Sequence, residues 1–110
     1  MSTVTIALTE AVYYILLSLY TPLHGYGIMQ NVGALSNGRV SLAAGTLYGA
    51  ISTMLEKGWI RALPAEHPSR KKEYEITETG KKIVEAELMR LEELLANGKA
   101  VVKGEHLCGK

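Results

Sequence analysis

The sequence contains no aspartate, a single cysteine, a single tryptophan and almost no net charge, +1 over 110 residues. The missing aspartate excludes any triad that uses one to orient a catalytic base. Cys108 has no partner for an internal disulfide, so a reducing compartment, the cytoplasm, is expected. It lies in the tail without a nearby ordered base to activate it, and no glutamate, histidine and nucleophile group together on one element, so no enzyme is expected. No basic stretch opens the chain, so no secretory signal is expected. The apolar run from Ala11 to Tyr20 spans about ten residues, half of what a bilayer requires, so no membrane partner is expected. His24, His67, His106 and Cys108 are the potential soft ligands. His106-x-Cys108 offers two at most where zinc takes three or four, so neither metal nor cofactor is expected. Gly25-Tyr26-Gly27 follows no strand pattern and precedes no Lys-Ser or Lys-Thr, which excludes a phosphate loop and leaves a tight helix start.

What is present is apolar: 47% of residues are hydrophobic, enough for a folded domain. The length allows one domain whose core is marginal alone, so burial against a second copy would help. Residues 5 to 20 are apolar on almost every face, with Thr9, Glu10 and Ser18 as polar breaks. A helix of that kind must be covered on several sides, and Pro22 marks its end. Ile28, Val32 and Leu35 share one face of a second helix over residues 25 to 35. Ser36-Asn37-Gly38 then turns the chain. A third helix over residues 43 to 57 places Leu47, Ile51, Met54 and Leu55 in its apolar stripe, with Gly58 as its cap. Its other side is small and polar: Gly45, Thr46, Gly49, Ser52, Thr53 and Glu56.

A hairpin follows, with strands over residues 59 to 63 and 70 to 76 and a two-proline tip between them. Trp59 reads as a core or hinge anchor. Thr77 is placed as the N-cap of a fourth helix, with Glu78 at its positive end. Val84, Leu88, Leu91 and Leu95 recur at heptad-like spacing and form a candidate dimer seam. Asn97-Gly98 is expected to end that helix. The expected organisation is a DNA-binding part over residues 1–76, a dimerisation helix over 77–97 and a loose tail over 98–110. The fold class is mainly α with a small β-hairpin: a winged helix-turn-helix plus a C-terminal helix.

Charge is distributed unevenly. Residues 39–72 carry six cations against two glutamates, while both flanks are net acidic. A basic middle fits a local anion-contacting face, or a solvated one. A helix that enters the major groove needs an outer face of small and hydrogen-bonding residues, and Gly45, Thr46, Gly49, Ser52 and Thr53 supply it. Tyr48 borders that face and can reach a phosphate or pack on the wing. Arg70, Lys71 and Lys72 follow the wing tip, where cations meet backbone phosphates. Arg39 can touch a phosphate or pair with a glutamate. Lys57 suits the negative end of its helix.

Three blocks carry a family resemblance. Gly45-Thr46-Leu47-Tyr48 with Leu55-Glu56-Lys57-Gly58-Trp59-Ile60 is similar to the PadR signature around the recognition helix. His24-Gly25-Tyr26-Gly27-Ile28 is similar to that family's second-helix opening, and Arg70 through Gly80 to its wing and last-helix start. The blocks run from His24 to Gly80 in the family's order, within a resemblance that covers roughly residues 5 to 95. The short last helix resembles the smaller PadR-like subgroup. One departure is that Ala43-Ala44 precedes the string and Gly49 follows it, where many members have Pro or Ser before and Pro after. The resemblance implies a homodimer on a roughly palindromic double-stranded operator, joined mostly by the last helix. It also implies repression relieved by a small aromatic effector. Tyr13, Tyr14, Leu17, Met89 and Leu91 are candidates to line an effector pocket, or are plain packing. The remaining alternative is a winged-helix module that binds protein instead of DNA.

Overall fold

The structure is a computed structural model, and it describes residues 7–64 and 71–104. Four helices and three short strands follow in the order α1 (Glu10–Ser18), β1 (Leu23–His24), α2 (Gly25–Leu35), α3 (Ala44–Glu56), β2 (Ile60–Leu63), β3 (Glu73–Ile76) and α4 (Glu78–Val102).

Helix α1 is shorter than expected because Thr9 caps it rather than interrupting it: the Thr9 hydroxyl accepts from the Val12 N–H at 3.1 Å. Ile15, Leu16 and Leu19 are fully buried. Ser18 is also buried and serves as a link. Its hydroxyl donates to the Tyr14 carbonyl at 2.8 Å and accepts from Asn31 Nδ2 of α2 at 2.9 Å. A polar break in an apolar helix thus becomes a cross-helix contact, satisfied as a buried hydroxyl must be. The turn between α2 and α3 is held by Ser36, whose hydroxyl donates to the Val32 carbonyl and accepts from the Val40 N–H.

Ile28 and Val32 of α2, and Leu47, Ile51 and Met54 of α3, enter the core as their spacing predicts. They meet Ile60, Tyr74 and Ile76 of the sheet and Val84 of α4. Full burial of each large aliphatic chain is worth about 1.5–3 kcal/mol. The predicted hairpin forms between β2 and β3, with Ile60 opposite Ile76 and Ala62 opposite Tyr74. The sequence pattern predicts no third strand, yet one forms. Leu23 and His24 pair antiparallel with β3, giving the order β1-β3-β2. Two residues carry no periodicity of their own, so only the open edge of β3 reveals them.

The start of α4 locks three elements together. The Thr77 hydroxyl accepts from the Gly80 N–H at 3.1 Å and donates to the Gly58 and Trp59 carbonyls. Gly80 lies so close to Trp59 that a Cβ there would stand 2.1 Å from the Trp59 carbonyl oxygen.

Two expectations for α4 are corrected. It does not end at Asn97-Gly98 but runs on to Val102, over 25 residues. Gly98 keeps helical geometry, and the left-handed residue that closes the helix is Gly104, φ 81°, just after the cap at Lys103. Second, Val84 does not belong to an exposed seam. It is 2% exposed and sits in the core of its own chain. Leu88, Leu91 and Leu95 do remain exposed, joined by Leu94, Val101 and Val102. The stripe therefore starts one turn later and extends further than the spacing alone indicates. Among the described residues no helix is long and apolar enough to cross a membrane.

Candidate nucleic-acid interface

Helix α3 presents the face that its sequence predicts. Gly45, Thr46, Tyr48, Gly49, Ser52 and Thr53 are all exposed, while Leu47, Ile51 and Met54 are buried behind them. A methyl group added at Gly45 or Gly49 would meet nothing within 4 Å. Nothing within the chain therefore requires those glycines, although a mid-helix glycine costs up to about 1 kcal/mol against alanine. They keep the face low and open. Helix α3 also differs from the other three at its start. Thr9, His24 and Thr77 cap α1, α2 and α4 with side-chain acceptors, whereas Ala43 makes no such bond. The first N–H groups of α3 are left for an outside acceptor.

The wing meets this face across a cleft of about 370 Å³ lined by His24, Gly25, Tyr26, Tyr48, Lys71, Lys72 and Tyr74. Lys71 and Lys72 are exposed, and no carboxylate among the described residues pairs with them. Arg70, the third predicted wing cation, lies outside the described residues. Tyr48 is 48% exposed and leans over the start of α2, its hydroxyl against Gly25. Tyr74 lies beneath, buried, its phenol pushed up first by desolvation and then by the neighbouring Tyr48. His24 faces the cleft while its Nδ1 accepts from the Gly27 N–H at 3.1 Å. Tyr26, at the tight helix start, stands on the side the sequence reading offers to the DNA backbone, but the sequence pattern does not assign His24 to this face, because the two-residue strand that brings it beside the wing leaves no signal in it.

Arg39 stands apart from this grouping. Of the two roles the sequence leaves open, the structure fills the second: its guanidinium pairs with Glu10 at the start of α1. That hydrogen bond holds the Glu10 carboxyl below, and the Arg39 guanidinium above, their ordinary values.

A second concavity, about 310 Å³, opens between α1 and α4 and is lined by Leu8, Glu10, Tyr13, Tyr14, Glu87, Arg90 and Leu91. Tyr13 and Tyr14 meet here with ring centroids 5.9 Å apart. Of the predicted effector-pocket residues, Tyr13, Tyr14 and Leu91 converge. Leu17 packs on the core instead, and Met89 points to solvent at 70% exposure. Glu87 is the residue that sequence reasoning misses. Its carboxylate is 3% exposed and accepts two bonds from Arg90, Nε at 2.8 Å and the terminal nitrogen at 2.6 Å. Arg90 holds that carboxyl below the usual range against the opposing effect of burial. A glutamate three residues before an arginine on a charged helix gives no sign of burial.

Comparison with known proteins agrees with this geometry. Residues 14–86 match the family described as the transcriptional regulator PadR-like family. No curated protein matches the chain. Among solved structures, a transcriptional regulator from Clostridium thermocellum is 23% identical, with a TM-score of 0.64 over 86% of this chain and 90% of that one. A PadR family transcriptional regulator from Eggerthella lenta is 21% identical, with a TM-score of 0.65 over 86% and 82%. Bacillus subtilis PadR in complex with operator DNA is 24% identical, with a TM-score of 0.61 over 70% of this chain and 45% of that longer one. The family match covers well over half of the sequence, and the winged helix-turn-helix is common to all three structures. The chain belongs to the PadR-like family of transcriptional regulators.

Proposed function

We propose that this protein is a cytoplasmic, homodimeric repressor that binds double-stranded operator DNA through α3 and the wing. The observation that carries the reading is the open α3 face. Gly45, Thr46, Gly49, Ser52 and Thr53 leave room for base edges, with Lys71 and Lys72 beside them. Small residues let a helix sink into a groove, and flanking cations neutralise phosphates without reading sequence. A protein-binding face would carry exposed apolar or aromatic anchors instead, and here Tyr48 is the single aromatic on α3. The solved operator complex of Bacillus subtilis PadR supports the same use of the fold.

The exposed Leu88, Leu91, Leu94 and Leu95 stripe joins two copies, which spaces two α3 helices for successive major grooves. The concavity between α1 and α4 takes a small aromatic effector against Tyr13 and Tyr14. Glu10 on its wall pairs with Arg39 in the segment leading into α3, giving the effector a route to the DNA face.

The test is a titration into labelled duplex DNA from immediately upstream of the protein's own gene, at several salt concentrations. Specific binding should fall with a log-log salt slope of roughly −5 to −9, as six to ten neutralised phosphates require. Lys71→Glu with Lys72→Glu should flatten that slope by roughly 0.9 for each phosphate left without its cation. A well-folded dimer that binds no DNA even at low salt would refute the reading and favour a protein-binding winged helix.

A further inference from the structure

We infer that Gly25 is a positioning residue for the DNA contact, acting through Tyr48; this rests on the DNA-binding reading above. Gly25 is the first residue of α2 and is buried. Its backbone does not need glycine, because its φ is not among the positive ones. What demands glycine is space. A Cβ there would stand 2.1 Å from the Tyr48 hydroxyl, 2.7 Å from Cζ and 3.2 Å from Cε1. The Tyr48 ring reaches from α3 over the start of α2 towards Tyr74 of the wing, and Tyr48, Lys71 and Lys72 line the same cleft. One hydroxyl donor and two lysines lining a single cleft make a suitable seat for one backbone phosphate. Any side chain at position 25 displaces the ring. Tyr48 is half exposed and the clash is with the far end of its side chain, so the ring can swing out while the backbone stays. The seat then disappears without altering any residue that touches DNA.

The two-helix register of the helix-turn-helix is thereby read out at the DNA surface. If α2 shifts relative to α3, the glycine no longer underlies the hydroxyl, and the phosphate seat opens. Tyr48 belongs to α3 by sequence but owes its position to α2.

The experiment compares operator affinity for the wild type, Gly25→Ala, Tyr48→Ala and the double variant, alongside their melting temperatures. Tyrosine ring resonances are recorded for the DNA-free wild type and Gly25→Ala proteins. Gly25→Ala should weaken binding about tenfold, as removal of one charge-assisted hydrogen bond does. In the Tyr48→Ala background the same change should cost nothing further, since the two act as one unit. Equal weakening in both backgrounds, or unchanged affinity of Gly25→Ala, would overturn the inference. Should Gly25→Ala fail to fold, the double variant decides: recovery of folding supports the clash with Tyr48, and continued unfolding refutes it. Should the wild type bind no DNA, the DNA reading fails on its own. The Tyr48 ring must still move on Gly25→Ala, and an unmoved ring would end the proposal.

Discussion

Replacing Gly80 by alanine should destabilise the protein, although the same change in a helix ordinarily stabilises it. Gly80 lies in the first turn of α4, facing the chain between α3 and β2. An added Cβ would stand 2.1 Å from the Trp59 carbonyl oxygen and 2.6 Å from Ile76 Cγ1. The closest ordinary contact of a carbon with a carbonyl oxygen is about 3.3 Å, so more than 1 Å must be found. The oxygen cannot retreat freely, because it accepts from the Thr77 N–H at 2.9 Å and the Thr77 hydroxyl at 3.0 Å. Overpacking of this kind costs about 1–3 kcal/mol, and a loosened hydrogen bond adds about 1. The helical preference of alanine over glycine returns at most about 1 kcal/mol. The net loss is about 2 kcal/mol, which lowers the melting temperature by roughly 8–16 °C for a domain of this size. Thermal melts followed by circular dichroism, at one protein concentration, measure it. Gly33→Ala is the control: a methyl there meets nothing within 4 Å, so a rise of a few degrees is expected. A Gly80→Ala protein that melts with the wild type or above it would refute the packing of α4 against Trp59.

Leu95→Asp places a charge on the exposed stripe of α4, at a side chain 59% exposed in the single chain. Sedimentation should show a folded monomer, and an unchanged dimer would remove this stripe from the interface. Glu87→Gln keeps the shape of the buried pair but removes its charge. The Glu87 carboxyl is held below its ordinary value, so the stability it contributes is present above about pH 4.5 and is lost as pH falls through its own lowered pKa. The variant should melt lower at neutral pH and lose less on acidification to about pH 3. A melting profile parallel to the wild type at every pH would contradict the pairing. Glu10, held low by Arg39, accounts for a further part of the acid loss in both proteins.

Much of the fold is legible in the sequence because helices announce themselves by repetition. The 25-to-35 helix, the stripe of α3 and the Thr77 cap each depend on spacing within one element, and each stands where the spacing puts it except at the last turns, where Leu35 and Leu55 of the expected apolar faces are exposed. The small polar face of α3 is legible for the same reason. The errors have another origin. Spacing cannot say whether Val84 meets its own core or a second copy, because both surfaces are apolar. Nor does Asn97-Gly98 stop a helix unless the glycine takes the left-handed conformation, and Gly104 takes it instead. The burial of Glu87 is a matter of what α1 lays over it, and Arg39 can be assigned only once Glu10 is beside it.

The junctions that the sequence hides share one trait, and it bears on function. Gly25 under Tyr48, Gly80 against Trp59, Ser18 with Asn31, and β1 on the edge of β3 each join elements distant in sequence through a side chain that is small or a strand that is very short. None adds much burial, so none leaves a hydrophobic signal. Yet these junctions set the angle of α2 against α3, and of both against the wing and α4. Apolar periodicity determines which faces turn inward, and it leaves the relative orientation of the elements loosely determined. The proposed DNA reading depends on that orientation, because it needs α3 and the wing lysines to meet one duplex together, and two copies to do so one helical turn apart. In this fold, therefore, mutations at small junction residues should alter DNA affinity more than their modest burial implies, while conservative changes in the core alter stability first.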